Sequence, residues 1–140
     1  MSDGVDSWTP TAAPAVPTAA ELGAAAEHWR RAGEDAGAAL PEALAAALQR
    51  ALRLPGGSLD PVLGQLADAD LDALARLYTL AEARDPAWEA GARSPVIALF
   101  GELKARGAAT AELAAWIRAH TENRFLPHGS LQDRLRARPR

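Results

Sequence analysis

The sequence predicts an all-α protein, and three observations carry that expectation. Alanine occurs 35 times and leucine 19 times, whereas valine and isoleucine together occur six times, so helix formers abound and the β-branched residues that suit strands are scarce. Apolar residues recur at intervals of three and four along several segments, which is the period of a helix face. Helix-start chemistry precedes most of those segments: a Ser, Thr or Asp followed by proline, or by an acidic residue three positions on. With 140 residues the chain suits one ordinary domain that buries about two-thirds of its unfolded surface, so a proper core is expected and a second full domain is not.

Residues 1–17 carry Pro10, Pro14 and Pro17 among Ala, Thr, Ser and Asp, and are expected to form a disordered tail whose one large apolar residue is Trp8. The single helical domain then spans 18–140. It opens at Thr18-Ala19-Ala20-Glu21, a capping box in which threonine and glutamate satisfy free helix-end amides. Leu22, Ala25, Ala26 and Trp29 give this first helix its apolar face, and Gly33 and Gly37 weaken its end. Pro41 suits the first turn of a second helix striped by Leu40, Leu44, Leu48 and Leu52, which Leu54-Pro55-Gly56-Gly57 stops. Asp60-Pro61 starts a short helix, with the aspartate as its cap.

From Asp70 to about Arg84, Leu71, Leu74, Leu77, Tyr78, Leu80 and Ala81 cover more than half the circumference of a third main helix, which places it centrally. Asp85-Pro86 suits a turn of helix through Trp88. Ser94-Pro95 starts a fourth main helix with Val96, Ile97, Leu99, Phe100 and Leu103 facing inward, ended by Gly107. Thr110 caps a fifth that carries Leu113, Trp116, Ile117 and His120 on one face, pairing with the fourth as a hairpin. Ser130 with Asp133 permits a last short helix before Arg134, Arg136, Arg138 and Arg140, an arginine run read as a solvated chain end. The predicted architecture is a compact array of about five main helices with short loops.

Function is written far more faintly. A net charge of −3 is too balanced for a protein that coats nucleic acid, and the absence of cysteine excludes disulfides, thiolate nucleophiles and thiolate metal sites. Apolar runs are too short for a membrane span, and Asp3 and Asp6 stand where a basic leader would begin, so a cytoplasmic protein is expected. The dominance of Ala, Gly, Pro and Arg fits a GC-rich bacterial genome. No serine sits in a nucleophile elbow, and Pro55-Gly56-Gly57-Ser58 lacks the lysine of a phosphate loop.

Three constellations remain. The segment Glu102 to Leu113 resembles a helix-turn-helix around Gly107, within a hairpin at about 95–121, but the second helix offers Ala111, Glu112, Ala114 and Ala115 where base-reading side chains belong. His120, Glu122 and His128 have ligand chemistry without a recognised metal spacing, and neither a cofactor nor a metal is expected. The loop Asn123-Arg124-Phe125-Leu126-Pro127-His128-Gly129-Ser130 concentrates an amide, a guanidinium, a ring and an imidazole in a chain otherwise dominated by alanine and leucine. Arg124 suits clamping an anion and Phe125 suits anchoring in a partner, whereas Phe125 and Leu126 would equally pin the loop to the core with Asn123 capping the preceding helix. Of these, packing is expected for Phe125. The preferred reading is a non-enzymatic interaction or regulatory protein that binds a protein partner through Trp116, Asn123, Arg124, Phe125 and His128, with Trp8 and Trp88 as further anchors. A DNA-binding regulator using the hairpin and a metal protein or enzyme using His120, Glu122 and His128 are the alternatives.

Overall fold

The computed structural model describes residues 16–33, 40–54 and 57–129, and among them the chain is helical with no strand. The helices are α1 (Ala19–Ala32), α2 (Glu42–Ala51), α3 (Asp60–Leu63), α4 (Asp68–Arg84), α5 (Pro95–Ala105) and α6 (Ala111–His120), with 3-10 turns at Pro86–Trp88 and Gly91–Arg93 between α4 and α5. The all-α expectation is met. Trp8 and the rest of 1–15, Gly37, the Pro55-Gly56 stop and the segment from Ser130 with its arginines lie outside the described residues.

Local chemistry sets most helix ends. In α1, Glu21 N–H donates to Thr18 Oγ1 at 3.0 Å and Thr18 N–H donates to Glu21 Oε1 at 2.9 Å, completing the capping box. Pro17, assigned to the tail by sequence, is buried one residue before this cap. Ser94 Oγ accepts from Val96 N–H at 3.1 Å to start α5, and Thr110 Oγ1 accepts from Leu113 N–H at 3.0 Å to start α6. Between them α5 closes in a Schellman arrangement, with Gly107 at φ 71°, Gly107 N–H on Lys104 O at 3.0 Å and Ala108 N–H on Leu103 O at 2.8 Å. Asp60 departs from expectation: Leu59 is the residue before α3, no side chain caps it, and Asp60 is the first helical residue, where the helix dipole favours its charge. Likewise α4 begins at Asp68, because Asp68 and Asp70 both fit its acidic first turn.

Helix α4 is central. Leu71, Ala73, Leu74, Ala75, Leu77, Tyr78, Thr79 and Leu80 are all buried, since α1, α5, α6 and the Pro86–Trp88 turn pack around it. Leu22, Ala25 and Ala26 of α1, Val96, Leu99, Phe100 and Leu103 of α5, and Leu113 and Ile117 of α6 join the same core. Each buried leucine there is worth about 1.5–3 kcal/mol. The last two helices, joined by the short Gly107–Thr110 connection of the expected antiparallel or angled hairpin, each pack chiefly on α4 rather than on one another. Trp88 is also corrected: it is 7% exposed, with its ring edge-on to Tyr78 at 6.1 Å, so it is core and no partner anchor. Among the described residues no helix is long and apolar enough to cross a membrane.

Candidate functional site

After α6 the chain enters an irregular loop that its own polar groups organise. Thr121 Oγ1 accepts from Asn123 N–H at 3.1 Å, and Asn123 Oδ1 accepts from Phe125 N–H at 2.9 Å, an Asx turn. Asn123 Nδ2 donates to Gly91 O at 2.9 Å, tying the loop to the Gly91–Arg93 turn. Asn123 is therefore a cross-brace, which corrects its expected role as a cap of the preceding helix. Leu126 and Pro127 are buried while Arg124 and Phe125 are exposed, Phe125 at 40%. Phe125 thus overturns the packing expectation, because the neighbouring Leu126 takes the inward position and Asn123 fixes the backbone without help from the ring.

The remaining candidates turn to separate neighbours. Trp116 is half-buried at the seam of α1, α4 and α6, edge-on to Trp29 at 6.0 Å, stacked on His120 at 4.0 Å and covered by the Arg76 guanidinium at 5.1 Å. His120 Nδ1 lies 2.7 Å from Trp116 O, a contact in which the ring N–H donates. Trp116 is consequently a packing centre in this arrangement, and its expected partner contact has little free ring to use. His128 sits edge-on to Phe100 at 5.3 Å with its Nδ1 3.4 Å from Lys104 Nζ. His120 and His128 therefore serve different elements, and among the described residues no group of three or more His, Cys, Asp or Glu side chains is placed to hold a metal ion.

Two open grooves flank the loop. The smaller, about 300 Å³, is lined by Arg118, Arg124, His128 and Glu122 with Thr121, Asn123 and Leu126. The larger, about 760 Å³, runs between the end of α4, the 3-10 turns and the loop, and presents Glu82, Glu89 and Glu122 beside His120, Arg124 and Phe125. Their charges differ in sign: two arginines against one glutamate in the first, three glutamates against one arginine in the second.

Glu82 was not singled out from sequence. It is only 8% exposed, and its Oε2 accepts from Ser94 Oγ at 2.6 Å while Oε1 has no hydrogen-bond partner among the described residues. Burial pushes its carboxyl up to about 7, the Ser94 hydroxyl pulls it back in part, and the Glu89 charge raises it further. A sequence signal existed: position 82 lies one helical turn after Tyr78 on the continuation of the apolar stripe, where a carboxylate is out of place.

The helix-turn-helix resemblance gains no base-reading face. The exposed residues of α6 are Ala111, Glu112, Ala115, Arg118 and Ala119, and Glu112 accepts from Arg76 Nη2 at 3.3 Å. No family model matches the chain, and no curated protein or solved structure is significantly similar to it.

Proposed function

We propose that the protein is a non-enzymatic interaction module that docks a protein segment of mixed charge across the Thr121–His128 loop. One observation carries this reading: Asn123 fixes the loop backbone from within, through Gly91 O and Phe125 N–H, while Arg124 and Phe125 stay exposed. An aromatic ring and a guanidinium are the side chains that supply most binding energy in interfaces, and a loop ordered before binding avoids the entropy cost of being ordered by it. The grooves of opposite sign on either side give a docking segment a preferred direction, because a reversed segment meets like charges.

The test is comparative capture from a lysate of the native organism with the whole protein, Phe125→Ala, Arg124→Ala and the exposed control Arg53→Ala. A protein retained by the parent and by Arg53→Ala, and lost from both loop variants at unchanged thermal midpoints, is the expected result. The same set of proteins on all four baits would refute it.

A further inference from the structure

The larger groove is lined by Glu82, a buried acceptor that the described residues leave incomplete. Ser94 Oγ accepts from Val96 N–H, so its one hydroxyl proton goes to Glu82 Oε2, and nothing among the described residues serves Oε1. Among the described residues, ionised Glu82 is a buried charge without an ion pair, and Glu82 protonated at Oε1 holds a donor without an acceptor. Each state costs free energy that a hydrogen-bonded polar group would not. A cationic donor bound in the groove that Glu82 lines would relieve the ionised state, and Glu89 and Glu122 line the same groove.

We propose that this groove receives a guanidinium, the head of an arginine side chain on the docking partner, with Glu82 Oε1 as its innermost acceptor and Glu89 and Glu122 as outer carboxylates. The inference rests on the docking reading for its source of arginine. A guanidinium suits the site better than an ammonium because its planar fork serves more than one carboxylate at once, sheds water more readily and stacks on a ring such as Phe125. Arg124, exposed in the same groove, opposes a bound cation, and solvent screening weakens that opposition.

Occupancy is coupled to protons. Glu82 accepts from Ser94 at the start of α5 and shares the groove lining with Glu89 after the Pro86–Trp88 turn, His120 of α6, and Glu122 and Arg124 of the loop, while Tyr78, one turn earlier on α4, donates to Leu48 O. Because Glu82 is largely protonated below neutrality, a guanidinium must displace its proton to bind. Binding then strengthens with rising pH up to neutrality and levels off above it.

The experiment uses the whole protein with labelled glutamate side chains and N-acetyl-arginine methylamide as the probe, followed by NMR at about pH 5.5, about pH 7 and about pH 8. Affinity should rise roughly tenfold between the two lower pH values, and saturating probe should lower the Glu82 titration midpoint by about one pH unit or more. Glu82→Gln, which keeps the side-chain shape, should bind the probe about tenfold more weakly and lose most of the pH dependence. The uncharged citrulline analogue should not bind, and the lysine analogue should bind more weakly than arginine. Equal binding of citrulline, an unmoved Glu82 titration, or full pH dependence in Glu82→Gln would overturn the assignment. If arginine fails while Phe125-dependent capture persists, the docking module stands and the guanidinium site falls.

Discussion

Glu82 and Phe125 depart furthest from what their residue types ordinarily do. A carboxyl that is protonated when folded and ionised when unfolded binds the extra proton in the folded state, over the window from about 4.5 to about 7. Stability therefore falls as pH rises through that window, by about 1.4 kcal/mol per pH unit and about 3 kcal/mol in all. Glu82→Gln should remove that slope and stabilise the protein at about pH 8, read from urea midpoints across the window; a variant as pH-sensitive as the parent would contradict the burial account. Phe125→Ala should cost less than about 1 kcal/mol of folding stability, because the ring is exposed. Leu126→Ala should cost about 2–5 kcal/mol, and comparable losses at the two positions would place the ring in the core after all. Sequence named the pair but not its division of labour, since in an irregular loop no periodicity states which of two adjacent apolar residues faces inward.

Helix ends show the same contrast between local and distant chemistry. The cap of α1, the Ser94 and Thr110 caps and the Gly107 stop involve partners a few residues apart, so their patterns were readable in the sequence. The partner of a carbonyl in the last turn of α2 was not, because it is thirty positions away: Tyr78 OH donates to Leu48 O at 2.7 Å while Leu52 N–H turns to Gln49 O. Tyr78→Phe should cost about 1–3 kcal/mol by leaving that buried carbonyl unpaired, measured by denaturant unfolding. A neutral Tyr78→Phe would show that α2 satisfies its own end. Arg106 works similarly, donating to Leu63 O at 2.9 Å, Leu66 O at 2.7 Å and Asp68 Oδ1 at 2.9 Å, so that the residue capping the C-terminus of α5 ties the end of α3 to the start of α4. Arg106→Ala should lower the thermal midpoint and Arg106→Lys should restore little of it, as a lysine has no fork to span three acceptors.

At the scale of the whole molecule, α4 organises both the core and the site. An apolar face covering more than half its circumference announced its central place, and burial of Leu71, Leu74, Leu77 and Tyr78 agrees. The same burial carries Glu82 to the foot of the larger groove, against turns and a loop that the chain reaches only later. That juxtaposition joins Glu82 to Ser94 and Asn123 to Gly91, contacts that depend on how helices stack and leave no pattern along the sequence. The central claim is that the Thr121–Gly129 loop is ordered before any partner arrives, with Phe125 held out to solvent. Backbone ¹⁵N relaxation of the whole protein tests it most directly. Order parameters of about 0.85 through Asn123, Phe125 and Leu126, matching those of α4, are expected; values below about 0.6 there would contradict a preformed docking loop.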